Sequence, residues 1–502
     1  MNSTMSRIFP GIQIACLSVA VVLFCGCSVI ENSHRQKLDM MNSYMAGKNH
    51  NVRTKLEEKL SDKGTFSGSV VNSGDEIMWR LEAGSFYFHT GNYQKSIEQF
   101  SIAEKLITEH DERARISVRD AGAEVGAAFT NLNTLPYRGF CRDRMALSIY
   151  KSLAYLGCDR EESFRAQLRR LRNEQKKIQD DYQEFFAQQT AEIEAAGSKN
   201  PDAAAMAEHN SVEALSGNSG NAEFAEHLKA AREVAHKGYG NFLNPAAIFL
   251  SGLGSLRDGN YDNARIDFKR LHEAMPKNLL LQKYYVTALQ KADREIPENL
   301  KNVKPFDFAL EHDCVYVFIA NGRSAAFKQS AVYFPLMFAW PVCEFYPADF
   351  SRFTVENSGR KHEPEILADM DGILAQEYDE RLPLMITRIV ISTAIKEAAR
   401  HAATAVAAEY DGLLAAGVYV GTSLYNATMN TADTRSWEML PKEIFFTQFP
   451  MPEKREIKVQ LSGSKQFDSI LSLPEDCRSA IIFISAPSAD NVICHVLPIK
   501  SH

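Results

Sequence analysis

Two stretches far apart in the chain repeat one another position for position, and that repetition restricts the fold more than any other feature. Ile77 to Leu106 carries Gly84, Tyr87, Gly91, Tyr93, Phe100 and Ala103 at helix-turn-helix spacing, with Gly91-Asn92-Tyr93 at the turn. Pro245 to Pro276 runs the same scheme through Gly252, Gly259-Asn260-Tyr261, Ala264 and Phe268. A small residue in the first helix lets the second approach closely, and a glycine at the turn takes φ > 0 without steric cost. Tyrosine and phenylalanine then fill the groove between the helices. Ser96 and Leu271 replace the expected alanine, which predicts looser packing at those positions. Met145 to Leu171 reads as a degenerate third pair, with Tyr150, Ala154, Tyr155 and Gly157 on one helix and Ala166 and Leu168 on the other.

The spacing resembles the tetratricopeptide repeat (TPR), which implies helix pairs stacked into a curved solenoid whose concave face binds a partner. Ordinary helical hairpins that share a Gly-Asn-Tyr turn are the plainer alternative. On the repeat reading, residues 76–300 form a TPR-like helical domain. Within it, residues 190–222 become rich in Ala, Ser, Asn and Gly, as in Gly197-Ser198-Lys199-Asn200-Pro201 and Ser216-Gly217-Asn218-Ser219-Gly220. That composition predicts a mobile insertion.

Beyond residue 300 the periodicity changes. Cys314 to Ala320 is β-rich, Asn321-Gly322 is a turn signal, and Ala325 to Phe334 predicts a returning strand. Pro335, Pro341 and Pro347 break up the pattern after that strand. Strands are expected over about 313–345 and 443–499, and helices over about 364–425. Pro383 suits a helix start, with Ile386, Ile389, Val390, Ile391 and Ile395 supplying an apolar face. The strands are expected to share one sheet, with the central helices packed against it. The predicted class is therefore α+β: an N-terminal all-α repeat region, then a C-terminal domain at 301–502 of antiparallel strands with central helices.

Location is read from the first residues. Arg7 is followed by a charge-free run from Ile8 to Gly26 that closes Leu23-Phe24-Cys25-Gly26-Cys27. This is the pattern of a secretion signal, residues 1–26. A small residue directly before a cysteine resembles the lipobox of bacterial lipoproteins, which implies acylation of Cys27, with Phe24 standing where leucine is usual. A signal cleaved elsewhere, or an uncleaved anchor, are the other readings. Residues 27–75 read as a tether and a short helix. Gly412 to Tyr425 is apolar but falls short of the ~20 residues a spanning helix needs, and reads as a buried helix or packed turn. A net charge of −7 with Lys and Arg dispersed gives no broad basic surface, which argues against nucleic acid.

The order of features resembles an uncharacterised family of bacterial lipoproteins with TPR-like repeats. The residues that carry the resemblance are Tyr150 to Leu171 running into Arg172-Asn173-Glu174-Gln175, the turn Gly259 to Arg265, Leu382-Pro383 with Arg388 and Lys396, and above all Ala432-Asp433-Thr434-Arg435-Ser436-Trp437. It implies an envelope protein working beside other outer-membrane lipoproteins, and supplies no mechanism.

Asp433, Arg435 and Trp437 form the best candidate motif. Arg435 has the planar fork to grip a carboxylate or phosphate, with Trp437 as an aromatic floor. The competing reading pairs Asp433 with Arg435 to lock the crossing from helices to sheet while Trp437 packs in the core. Asp369, Asp371, Glu377, Asp379 and Glu380 lack calcium-loop spacing and read as a solvated acidic face. Arg165, Arg169, Arg170, Arg172, Lys176 and Lys177 read as a charged exposed helix. Cys141, Cys158, Cys314, Cys343, Cys477 and Cys494 are compatible with disulfides or with buried thiols. No Gly-x-Ser-x-Gly, His-Glu-x-x-His, phosphate loop or dinucleotide pattern occurs, and no Cys/His cluster has zinc spacing. The expected function is a non-catalytic, cofactor-free scaffold. A lipid anchor would hold it at the periplasmic face of an outer membrane, where it would bind a protein or peptide partner. A peptidoglycan-binding or peptidoglycan-acting protein is the alternative.

Overall fold

The computed structural model describes residues 36–61, 69–120, 137–240, 242–334, 336–410, 415–416, 418–419 and 432–500. Cys27 and the apolar run before it lie outside these, as does most of Gly412 to Tyr425. The helices come first: α1 (36–45), α2 (Asn49–Lys59), α3 (Glu76–His89), α4 (Tyr93–Asp120), α5 (Cys141–Gly157), α6 (Glu161–Lys199), α7 (Pro201–His209), α8 (Val212–Ser216), α9 (Ala222–Ala235), α10 (Pro245–Arg257), α11 (Tyr261–Ala274) and α12 (Leu279–Lys291). Strands come next, β1 (Cys314–Asn321), β2 (Ala326–Phe334), β3 (Leu336–Glu344), β4 (Phe350–Asn357), β5 (Arg360–His362) and β6 (Glu365–Asp369), then α13 (Met370–Tyr410). The chain ends with β7 (Glu443–Pro450), β8 (Glu456–Gly463), β9 (Gln466–Ser472), β10 (Ser479–Ser488) and β11 (Asn491–Ile499).

The repeated turns divide their labour between two kinds of glycine. Gly91 and Gly259 have φ of 75° and 70° with open space around them, so glycine is there for its backbone. Gly84 and Gly252 serve the contact instead. A Cβ on Gly84 would overlap the Phe100 ring, and one on Gly252 would lie 2.9 Å from Phe268. The asparagine of each turn then caps the second helix: Asn92 Oδ1 accepts from Lys95 N (3.3 Å) and Asn260 Oδ1 from Asn263 N (3.2 Å). Tyr93 and Tyr261 are the first residues of α4 and α11. Looser packing at Ser96 and Leu271 is not what the structure shows. The Ser96 hydroxyl donates to the Gly84 carbonyl at 2.7 Å, and Leu271 is fully buried.

Helices α3, α4, α5, α6, α10, α11 and α12 each pack on the next. One side of this layer lies on a five-stranded sheet of order β11-β10-β1-β7-β6. Phe88 (α3) and Tyr150 (α5) meet Phe483 at 5.3 and 5.8 Å, and Phe249 (α10) meets Phe446 at 4.4 Å. Strand alternation sends Tyr316, Phe318, Ile481 and Phe483 toward the helices. Val315, Val317, Ile319, Ile482 and Ile484 point the other way, into a core shared with a four-stranded sheet of order β5-β4-β8-β9. Strands β1 and β10 are consequently buried throughout. A third core joins the end of α6, α7, α8, α9, the β2–β3 ribbon and α13.

Several expectations are corrected. One side of the helical layer is covered by the chain's own sheet, and all fourteen residues of α3 are buried. A single hydrophobic cluster runs across residue 300, so the helical region and the sheet share one interior. Residues 36–59 are no tether, because Met40, Met41, Tyr44, Val52 and Leu56 belong to that same cluster. The mobile insertion at 190–222 is helical. Its alanines Ala196, Ala203 and Ala207 are buried with Ile193, Val212 and Leu215, and α7 and α8 pack on α13, small side chains allowing the approach.

The strands do not form one antiparallel sheet. Strand β1 pairs parallel with β10 and antiparallel with β7, so both its edges are taken and β2 pairs with β3 instead. Pro341 does not break the ribbon; it sits in β3 opposite Gln329, where only one neighbour needs a ladder. Pro383 lies inside α13 rather than at its start. The buried stripe Leu374, Tyr378, Leu382, Ile386, Val390 steps by four straight through it, so packing carries the helix across the proline. Cys141, Cys158, Cys314, Cys343, Cys477 and Cys494 are free thiols.

Candidate functional site

Asp433, Arg435 and Trp437 stand where the chain passes between α3 and the sheet. Arg435 Nε and Nη2 donate to the two oxygens of Asp433 at 2.8 and 2.7 Å, and Nη1 donates to Asp75 Oδ1 at 3.2 Å. Burial works against the cation, yet Asp433 and Asp75 hold its pKa above the ordinary arginine value. Trp437 is fully buried beside Phe100 and Tyr150, and its indole N–H donates to Ser85 Oγ at 3.1 Å. The backbone N–H groups of Glu438 and Met439 donate to Glu82 at 2.8 and 3.0 Å. Lys37 pairs with Glu82 (3.2 Å) and Glu438 (3.1 Å), and Arg323 also pairs with Glu438. Four buried charges thus seal α1, α3 and the 436–440 segment together.

Of the acidic cluster only Glu380 is exposed, and the rest is not a solvated face. Asp371 accepts from Lys442 Nζ and Ala325 N, both at 2.6 Å, Glu377 from Cys141 N at 2.8 Å, and Asp369 from Gly372 N at 2.8 Å. These three are buried, while Asp379 pairs with Arg232 at 3.0 Å. The basic run on α6 is only partly free in solvent. Arg172 reaches Asp267 (2.6 Å) and the Asn263 carbonyl (2.7 Å), tying α6 to α11, and Arg169 reaches Asp258 (2.8 Å).

Together these elements enclose a cleft of about 550 Å³. Phe185, Phe186, Gln189 and Glu192 come from α6, Tyr378, Arg381, Leu384, Met385 and Arg388 from α13, and Phe327 and Pro341 from the β2–β3 ribbon. His110 and Arg113 of α4, the 137–140 segment, and Asp433 with Arg435 complete the wall. Trp437 stays outside it, in the core. The floor is apolar because it is the open edge of the third core. Charge on the wall is matched in pairs: Arg138 with Asp111 (2.9 Å), Arg381 with Glu377, Arg388 with Glu192 (3.4 Å) and Arg435 with Asp433. Arg381 also lies over the rings of Phe140 (4.9 Å) and Phe185 (5.7 Å). A smaller cavity of about 60 Å³ shares Arg138, Gly139, Phe185 and Arg381 with the cleft. At that junction Arg138 Nε and Arg381 Nε are buried with no hydrogen-bond acceptor among the described residues.

One constellation had no signal in the scattered histidines. His89 Nδ1 lies 2.7 Å from Ser485 Oγ and its Nε2 lies 2.8 Å from Asn491 Oδ1, an order of hydroxyl, imidazole and amide. All three are buried, neither cavity reaches them, and burial pushes the His89 pKa down to about 4. The group ties α3 to β10 and β11. Among the described residues, no three His, Cys, Asp or Glu side chains converge in a metal-binding arrangement, and no helix is long and apolar enough to cross a membrane. Comparison with known families, curated proteins and solved structures found no match to this chain.

Proposed function

We propose that this chain is a lipid-anchored binding scaffold of the bacterial cell envelope, held through Cys27 at the periplasmic face of the outer membrane and without catalytic activity. The anchor is supported by the charge-free run that ends at Cys27, and the envelope setting by the resemblance carried on Ala432 to Trp437. The helix pairs follow a TPR-like plan whose inner face has been turned to a structural purpose. Binding therefore belongs to the cleft between α6, α13 and the β2–β3 ribbon, and this cleft is the observation that carries the reading. Binding fits it better than catalysis, because the carboxylates on its wall, Glu192 and Asp433, are each engaged by an arginine.

The test starts from the full-length protein extracted from membranes. Mass spectrometry of its N-terminus is expected to find an acylated Cys27, and Cys27→Ser is expected to release the protein from the membrane fraction. Crosslinking followed by affinity purification is expected to recover envelope proteins with the wild type, and to lose them with Phe186→Asp in the cleft wall. An unmodified mature N-terminus, or an unchanged partner set with a folded Phe186→Asp protein, overturns the proposal.

A further inference from the structure

We propose that two copies of this chain associate edge to edge through β9, the strands antiparallel about a two-fold axis at Ser469. The inference is independent of the cleft and comes from the opposite end of the fold's logic, the margins of its sheets. Strand β9 closes one side of the four-stranded sheet, and among the described elements it hydrogen-bonds to β8 alone. Such a margin presents a row of N–H and C=O groups to any other strand, and proteins usually blunt it. The other margins of this molecule are blunted. Strand β5 has three residues, and β4, open where β5 stops, is bulged between Phe350 and Arg352. Strand β6 is bulged between Ile366 and Ala368 and gives its Ile366 carbonyl to Asn278 at 3.1 Å. Strand β11 pairs irregularly with β10 and carries Pro498, while the ribbon has Lys328 in β2 and Pro341 in β3. Strand β9 has none of these devices. Its seven residues, Gln466–Ser472, run against β8 without a shift of register and include no Lys or Pro.

The strand is its own complement. Alternation sends Phe467 and Leu471 toward the core between the two sheets, where both are only partly buried. It leaves Asp468 and Ile470 on the outer face, with Ile470 67% exposed. Residues directly opposite in an antiparallel pair share a face. With Ser469 on the axis, Phe467 of each copy meets Leu471 of the other on the core side. On the outer side Asp468 meets Ile470, and the two Ile470 side chains lie diagonally beside one another. No like charges stand opposite, and the Asp468 carboxylate is already held by Gln460 and Gln466 of its own chain, both at 2.6 Å. Moving the axis to Asp468 would set that carboxylate against its twin. The ends favour a second copy as well. Lys465, paired with Asp490 in its own chain, precedes β9, and exposed Glu475 follows it. Antiparallel pairing brings Lys465 of each copy beside Glu475 of the other. Edge N–H and C=O groups are hydrated when free, so their bonds set direction and register while cover of Phe467, Leu471 and Ile470 supplies the gain.

The experiment uses the full chain with Cys27→Ser, which carries no acyl chain, in sedimentation equilibrium, with circular dichroism on every variant. This parent is expected to pass from monomer to dimer as its concentration rises through the micromolar range. Ile470→Asp sets a carboxylate opposite Asp468 at both symmetry-related places and is expected to weaken the dimer on the order of 10-fold. Ile470→Lys sets an ammonium at the same two places and is expected to keep it. Val406→Asp, on the exposed part of α13, adds the same charge away from β9 and is expected to change nothing. Ser469→Cys is expected to couple to its twin through a short bismaleimide, while the parent stays uncoupled.

The proposal is overturned if the parent remains a monomer throughout, or if Ser469→Cys does not couple. It is also overturned if Ile470→Asp and Ile470→Lys weaken the dimer alike, because that is the mark of apolar stickiness without register. Coupling of Ser469→Cys in intact cells to a different envelope protein, and not to itself, assigns the edge to a foreign strand and overturns it too. Phe186→Asp in the cleft wall is expected to leave the dimer unchanged, so this proposal and the binding role of the cleft fail separately.

Discussion

At the scale of single residues, His89 and His495 show what burial does to a titrating group. Burial holds His89 neutral with its pKa near 4, and burial together with His89 holds His495 near 3, whereas an unfolded histidine titrates near 6.5. Below about pH 6.5 the unfolded chain takes up protons that the folded chain refuses. Stability is therefore full above that pH and falls as pH drops toward 4. Replacing His89 with Gln removes one of the two groups. Urea midpoints at pH 7 and pH 4.5 are expected to show wild type losing about 2 kcal/mol more than H89Q across that interval. Equal losses would mean that the pair does not govern the acid limb. None of this was legible from sequence, because Ser485 and Asn491 lie some 400 positions from His89. The pairing of Asp433 with Arg435 was open to sequence reading, since it is made within three residues.

Elements were legible where their causes are local. The Gly-Asn-Tyr turns, the caps at Asn92 and Asn260 and the strand of alternating core residues at β1 all arise from neighbours within a few positions. Partnerships were not. Strand β10 lies against β1 although about 165 residues separate them, and no local pattern records which edge it takes. The Ala-rich stretch at 190–222 looked unable to order itself because its partner, α13, lies far downstream. Close approach of helices is also where the next prediction belongs. Gly84→Ala puts a methyl group into the Phe100 ring, an overpacking expected to cost about 1–3 kcal/mol. Gly91→Ala meets open space and pays only for its left-handed φ, about 1 kcal/mol. Chemical denaturation should rank Gly84→Ala as the more damaging, and the reverse order would mean that the helix pair has slack.

For the molecule as a whole, the question is whether the helical layer can exist without the sheet. The sequence suggested two domains meeting near residue 300, since helical periodicity ends there, but periodicity says nothing about what covers a helix. In the folded chain Phe88, Tyr150 and Phe249 all rest on strands from the last two hundred residues. The buried quartet of Lys37, Glu82, Arg323 and Glu438 crosses the same boundary with two charges from each side. Truncation after residue 300 would leave Lys37 and Glu82 without half of their partners and open the apolar face of α3, α5 and α10 to water. Stranding part of such a charge network costs roughly 3–5 kcal/mol, before the lost apolar contact is counted, against the 5–15 kcal/mol that folded domains generally hold in reserve. The truncated chain is therefore expected to bind a hydrophobic dye, to lack near-ultraviolet circular dichroism and to melt without a sharp transition, while the full chain carries the helical and sheet signals through one shared transition. A truncated protein that melts sharply and binds no dye would show that the helix pairs support themselves, and would make their inner face available to a partner again.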